Sequence, residues 1–305
     1  MNMLACPVCE SAQVALFMNG IFDSGETDVM ECAKCGLQFL HPMMSDGEEN
    51  EYYRLYYENQ KKRQYKNLSL KDIQDNSFGH YSQYLGIYAG LIENKKSILE
   101  IGSGTGGFLR FVKARAPDIT LVSVERSGPN LDFLRHEFKD VQFNEAVTNL
   151  DTNARFDLIA VFGVFEHVKD NARFLKMTGE HLNPGGTLAL NIPNKRNPLV
   201  YTYGVEEFKK FAYMKQHYYT YTERSLEILA EKTGYEIEKY HYMQVWGLDN
   251  HLSWLRYGKP RDFSQFTQLL SDTTLQSYND DLISKKTTDL MMVIMEKRGR
   301  REVPA

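Results

Sequence analysis

The chain has 305 residues, 42% of them hydrophobic, enough for one large or two modest domains with a sizeable core. Its net charge of −4 excludes a general electrostatic pull toward nucleic acid or anionic membrane. The N-terminal "MNMLACPVCE" lacks a basic region followed by an apolar core, and no apolar run approaches a membrane span, so the expectation is a soluble cytoplasmic protein with no membrane partner.

All four cysteines lie in the first 35 residues, as Cys6-Pro-Val-Cys9 and Cys32-Ala-Lys-Cys35, with 22 residues between the pairs. In a reducing compartment this pattern points to metal rather than disulfide. Two CxxC knuckles offer four thiolates in near-tetrahedral reach, the arrangement zinc prefers, and four thiolates leave no open position. Cys6, Cys9, Cys32 and Cys35 are therefore expected to hold a structural Zn²⁺. The short β-like pieces "VALFMNG", "DVMEC" and "LQFLHP" complete a predicted zinc ribbon over residues 1–45. So small a module has little core without its metal. Its acids (Glu10, Asp23, Glu26, Asp28, Glu31) outnumber its one cation, Lys34, so its surface repels phosphates and argues against a nucleic-acid partner.

Residues 46–80 are polar and tyrosine-rich and predict a helical connector. From residue 81 to the end, strands alternate with helices, the pattern of a mostly parallel sheet covered on both faces. The strand candidates are "SILEIG" (97–102), "TLVSVE" (120–125), "VQFNEA" (141–146), "FDLIAVFG" (156–163), "GTLALNIP" (186–193), "YEIEKYHYMQV" and "DLMMVIMEKR" (289–298). Residues 183–186, Asn-Pro-Gly-Gly, read as a turn. "TERSLEILAEKTG" (222–234) predicts a helix capped by Thr222, ended by Gly234, with Leu226, Leu229, Ala230 and Thr233 on one face. Inserts are expected near 195–221 and 245–287, and the basic end "KRGRREVPA" reads as a frayed terminus.

Gly102, Gly104 and Gly107 satisfy GxGxxG between a strand and a helix, where glycines permit a tight turn and let backbone amides approach a ligand. Glu125 follows at the end of the next strand, where a carboxylate can accept both ribose hydroxyls. NAD and S-adenosylmethionine both use this arrangement. Glu100, two residues before the first glycine, would repel a pyrophosphate but suits the cationic end of S-adenosylmethionine.

"ILEIGSGTGGFL", Glu125, "FDLIAVFGVFEHV" and "LNPGGTLALNIPN" together resemble the ordered motifs of class I S-adenosylmethionine-dependent methyltransferases. The resemblance implies an α/β, Rossmann-like, seven-stranded mostly parallel sheet with helices on both faces, its last strand antiparallel and inserted beside the sixth. It implies that Gly102 and Gly104 line the methionine and ribose portions, with Ser103, Thr105 and Arg126 alongside, and that Glu125 holds the ribose. It places Glu145 and Ala146 at the adenine amino group, and Phe162 and Gly163 beside the sulfonium. "CPVC…CAKCGLQFLHP" before a "YY"-rich segment is similar to zinc-ribbon methyltransferases that modify sugars, nucleotide-sugars and other metabolites. The acceptor this implies is a small molecule, first a sugar or nucleotide-sugar hydroxyl in carbohydrate biosynthesis. The rival readings are an RNA methyltransferase gripping its substrate with the ribbon, a cofactor-binding module without turnover, and an NAD-dependent oxidoreductase.

A hydroxyl acceptor must lose a proton, so a base is expected. Glu166 and His167 in "GVFEHVKDN" follow the fourth strand at the sheet edge where ligands collect. His217 in "MKQHYYTYTERSL" is the other candidate. It lies among eight aromatics at residues 201–221, which read as a lid that excludes water. The 245–287 excursion carries His251, Trp254 and Arg256 and is expected to cap the substrate or to make a homodimer contact.

Overall fold

The computed structural model describes residues 4–63, 68–260 and 267–298. Residues 261–266 of the expected excursion and 299–305 of the basic end lie outside the described residues. The cysteine-bearing segment forms an antiparallel meander of β1 (Val14–Met18), β2 (Asp28–Cys32) and β3 (Gln38–His41). Three helices follow: α1 (Asp46–Arg63), α2 (Leu70–Gln83) and α3 (Leu85–Ile92). Asp46, Glu48 and Glu49 occupy the first turn of α1, where the helix dipole favours negative charge. A reciprocal capping box starts α2. Ser69 Oγ accepts from the Asp72 amide at 3.1 Å, and Asp72 accepts from the Ser69 amide at 2.7 Å.

Next come β4 (Ser97–Ile101), α4 (Gly107–Arg115), β5 (Thr120–Val124), α5 (Gly128–Glu137), β6 (Gln142–Asn144), β7 (Phe156–Phe162), α6 (Asn171–Glu180) and β8 (Leu182–Pro193). Two short helices, α7 (Pro198–Tyr201) and α8 (Glu206–Ala212), lead to a two-residue strand, β9 (Tyr219–Thr220). The chain finishes with α9 (Glu223–Thr233), β10 (Tyr235–Met243), α10 (Leu248–Tyr257), α11 (Asp272–Ser284) and β11 (Leu290–Lys297).

Seven strands make one sheet in the order β6-β5-β4-β7-β8-β11-β10. Pairs from β6 to β8 are parallel, and β11 runs antiparallel between β8 and β10. This is the expected α/β architecture with the last strand inserted beside the sixth. The central strands are buried on both faces, as parallel strands under helices must be. α9 has the predicted caps: Thr222 Oγ1 accepts from the Ser225 amide, and Gly234 ends the helix at φ +81°. Residues 183–186 do not end a strand; they form an irregularity inside β8, which pairs with β7 on both sides of them. No helix among the described residues is long and apolar enough to cross a membrane.

The apolar core on one sheet face runs without a break into the cysteine segment. Leu99, Val161 and Leu190 share it with Cys6, Val29, Leu37 and Phe39. The reason is β9, which pairs with β3 (Gln38↔Thr220, Phe39↔Tyr219) and makes the fourth strand of that sheet. This corrects the expectation of an aromatic lid at residues 201–221. Tyr213, Tyr218, Tyr219 and Tyr221 are buried in the seam between the two parts and are not free to close over a ligand. At the seam's centre Gln38 is fully buried. It donates to Glu31 at 2.8 Å, accepts from Tyr213 at 2.6 Å, and also bonds Tyr201. Lys195 bridges Glu31 (2.9 Å) and the Gly36 carbonyl (2.7 Å). Thr222, while capping α9, donates to the Cys35 carbonyl at 2.6 Å.

Gln38→Leu keeps the volume but strands the buried Tyr213 hydroxyl. The expected loss is about 1–3 kcal/mol, read as a lower denaturant midpoint. An unchanged midpoint would mean that the seam draws its stability from apolar contact alone.

Candidate functional site

The first turn after β4 is the glycine bend. Gly102 has φ +79°, and a Cβ there would lie 2.3 Å from Val164 Cγ2, so both the backbone region and the space demand glycine. At Gly104 a Cβ would meet nothing within 4 Å, because the bend faces a cavity. The Gly102 amide bonds the Val124 carbonyl (2.7 Å), which ties the bend to β5. Ser103 is buried and bonds Ser123. α2 also clamps the bend: buried Gln74 donates to the Thr105 carbonyl at 2.8 Å.

Two carboxylates flank this turn. Glu125 accepts from the Gly104 amide through one oxygen and from the Ser127 amide through the other, both at 2.7 Å. Burial raises its pKa and these amides oppose the rise. Glu100 is 2% exposed and its Oε2 has no hydrogen-bond partner among the described residues. Burial, with Glu125 nearby, pushes its pKa up to about 8.

The cavity has a volume of about 870 Å³. Gly102, Gly104 and Thr105 line one side, and Glu125, Arg126 and Asn130 another. Glu49, Asn50, Tyr53 and Arg54 of α1 line it too, so the connector covers the site where the aromatic insert was expected to. Arg126 joins wall to roof: it donates to Asn50 at 2.7 Å, and its guanidinium lies 5.0 Å from the Tyr53 ring centroid.

Val164, His167, Val168 and Lys169 line the part of the cavity that follows β7. There Gly163 takes φ +67° and a single 3-10 turn, Phe165–His167, carries Glu166 and His167. Glu166 is 3% exposed; burial pushes it up to about 8, and its Oε2 is unpartnered. His167 shares a hydrogen bond with the Tyr53 hydroxyl through Nδ1 at 3.2 Å. It stacks on His217 with ring centroids 4.9 Å apart and planes 26° apart. Burial first, and His217 second, hold His167 well below the ordinary histidine range. Burial lowers His217 to about 4, and the Ala212 backbone opposes the fall. The adjacent Glu166 and His167 and the distant His217 thus form one cluster with donor atoms within 4.8 Å of one another.

Other expected positions fall elsewhere. Glu145 is exposed after β6, and neither it nor Ala146 lines the cavity. Phe162 packs against Phe108 (5.0 Å) and Tyr88 (5.7 Å) on the opposite core, and Gly163 is not in the lining either. His251 bonds Tyr278 (2.5 Å), Trp254 packs on Phe208 (5.0 Å), and Arg256 is exposed, so none of the three reaches the cavity. The roof residues and Gln74 were missed by sequence reasoning. The only signal was a buried-type periodicity too weak to see in so polar a helix.

The cysteine cluster is compact. Cys6 and Cys35 sulfurs are 3.6 Å apart, Cys9 and Cys32 sulfurs 3.5 Å, and all four lie within 4.8 Å of one another. The Cys9 amide points at Cys6 Sγ (3.5 Å).

An unfolded glutamate ionises near about pH 4.3, whereas Glu100 keeps its proton to about 8. Between those values the folded state holds the extra proton, so stability is full below the lower value and is lost as pH rises through the upper one. Glu100→Gln should match the parent near about pH 4 and exceed it by roughly 2–4 kcal/mol near about pH 9 in denaturant titrations. A difference that is constant across pH would place the perturbed carboxyl elsewhere.

Comparisons with known proteins agree with the architecture. A family described as "Methyltransferase domain" matches residues 76–240. The ubiquinone biosynthesis O-methyltransferase of Azorhizobium caulinodans is 29% identical over 132 residues, 41% of this chain and 49% of that protein. The trans-aconitate 2-methyltransferase of Azoarcus sp. is 27% identical over 103 residues, 33% of this chain and 41% of that protein. The chain therefore spans about half or less of these relatives' length. A SAM-dependent methyltransferase from Archaeoglobus fulgidus superposes with TM-score 0.50 at 15% identity, covering 79% of this chain and 99% of that one. At such identity the likeness is one of fold. The match to more than half of the residues settles the family: the chain belongs to the methyltransferase-domain family.

Proposed function

We propose that the protein transfers a methyl group from S-adenosylmethionine to a hydroxyl of a small-molecule acceptor. The observation that carries this reading is a cavity lined by the glycine bend and Glu125 on one side and by His167 on another, with Glu100 buried two residues before the bend. The bend's residues fit the donor. Glu100 presents a buried carboxylate oxygen without a partner, which a cationic ligand would balance. Glu125 would hold the ribose hydroxyls, with Gly104, Thr105 and Arg126 around it. When bound, the donor supplies a methyl on a sulfonium, which leaves in line with the attacking atom. Tyr53 and Arg126 offer the acceptor a ring face and a cation. The acceptor's proton departs where His167 meets the cavity, with Glu166 and His217 behind it. The resemblance to zinc-ribbon methyltransferases makes a sugar or nucleotide-sugar the first acceptor to test, and Arg126 would suit its phosphates.

The four cysteines fit a structural zinc ion. Tetrahedral zinc with bonds of about 2.3 Å needs sulfurs about 3.8 Å apart, and the closest pairs stand at 3.5 and 3.6 Å. Cys6, Cys9, Cys32 and Cys35 would hold it; a fully thiolate set gives it a fold-stabilising role.

Calorimetry should show S-adenosylhomocysteine binding that Glu125→Ala weakens at least about tenfold, or about 1.4 kcal/mol. Binding of NAD without S-adenosylhomocysteine would overturn the donor assignment. A screen of nucleotide-sugars for S-adenosylhomocysteine release tests turnover, and silence across all acceptor classes would leave a binding module. Purified protein should carry about one tightly held zinc per chain, and chelation should lower its thermal midpoint by several degrees. A metal-free sample with the same midpoint removes the zinc reading.

A further inference from the structure

Glu166, His167 and His217 have more in common than nearness to the cavity. We propose that they form a second metal site, distinct from the four cysteines, that takes one divalent first-row transition ion. One donor atom from each lies within 4.8 Å of the other two. Ligands at about 2.0–2.2 Å from a shared centre stand roughly 3–4 Å apart, so closing on an ion needs only small side-chain movements.

The carboxylate is the strongest pointer. Glu166 is 3% exposed, and Oε2 has no hydrogen-bond partner among the described residues. A buried carboxylate oxygen left bare is costly unless something cationic meets it. A relay of Glu166, His167 and His217 by hydrogen bonds would have satisfied that oxygen; it does not.

The imidazoles are arranged as ligands are. The Ala212 backbone interacts with His217 so as to favour its protonated ring, and the Tyr53 hydroxyl lies 3.2 Å from His167 Nδ1. Such outer partners orient a ring and leave its other nitrogen for a metal. The two rings stack with centroids 4.9 Å apart, and a nitrogen of each lies within 4.8 Å of the other.

Two imidazoles and one carboxylate suit iron(II), cobalt, nickel or zinc, unlike the thiolate-only set. Three protein ligands also leave coordination positions open, and of the three residues only His167 lines the cavity. The ion would border the cavity through His167. An acceptor hydroxyl reaching the ion would pass its proton more readily to water in the cavity, with His167 then a ligand and not the base. This last role rests on the methyl-transfer reading; the metal site does not.

The test uses the full-length protein brought to one zinc per chain, enough for the four cysteines alone, then titrated with cobalt(II) and followed by visible absorption. The expected result is one further equivalent with d–d bands and no thiolate charge-transfer band. Glu166→Gln and His217→Ala should each weaken uptake by about 10–100-fold. Glu166→Gln keeps the side chain's shape, and the thermal midpoint of each variant is measured alongside. No uptake at millimolar cobalt, uptake unchanged in both variants, or a thiolate band alone overturns the proposal. S-adenosylhomocysteine binding on the same wild-type sample separates the two readings. Cobalt uptake without it fells methyl transfer only, and the reverse fells the metal site only.

Discussion

The pairing of β9 with β3 is the constraint on which the rest of the molecule depends. It spans only Gln38↔Thr220 and Phe39↔Tyr219, yet it joins the cysteine segment to the large sheet's core. It also sets the neighbouring residues. Tyr218 gives its carbonyl to the Leu40 amide (3.0 Å), His217 comes to lie against His167, and buried Gln216 accepts from Tyr52 of α1 at 2.5 Å. The cavity's roof, one histidine of the cluster and the cysteine knuckles are therefore placed by one short ladder. Buried Gln38 and Lys195 satisfy the polar groups that such a seam would otherwise strand.

Against that framework two acids are buried at a cost to stability. Glu100 and Glu166 are each buried, each with an oxygen that has no hydrogen-bond partner among the described residues. Apolar side chains in their place would stabilise the fold. Such local conflicts with good packing are expected where a chain binds something. The donor bend and His167 line the same cavity, and the two buried acids, Glu100 and Glu166, lie within two residues of them in the chain. Glu125 is different: its oxygens are already held by two amides, which keeps it oriented for a ligand that must displace or share them.

Much of the large sheet was readable from local pattern. Apolar runs such as "LEI" and "DLIAVF", glycine turns and the capped helix at 222–234 each declare themselves within a few residues. The bend with Glu100 and Glu125 was readable because turn chemistry, spacing and charge agree there. The Asn-Pro-Gly-Gly stretch misled, since its turn chemistry produces an irregularity that β-pairing on both sides absorbs. The aromatic insert misled for a related reason. Eight rings in a loop-like segment mark burial, and composition alone does not say what buries them. The roof was invisible because α1 and α2 are too polar to show a strong apolar stripe, although Gln74, Asn50 and Tyr53 sit at the site.

Local chemistry in the chain thus settled the alternating strands and helices, the bend that needs glycine, the two matched cysteine pairs and the identity of every candidate donor and base. Tertiary structure alone decided which of these meet. His167 and His217 are fifty positions apart, and Cys9 and Cys32 meet only through the β1–β2 hairpin. The physical reason is that propensity, capping and turn geometry act over a few residues. A two-residue strand such as β9 has almost no intrinsic preference to display, and its pairing is set by the burial of the tyrosines around it.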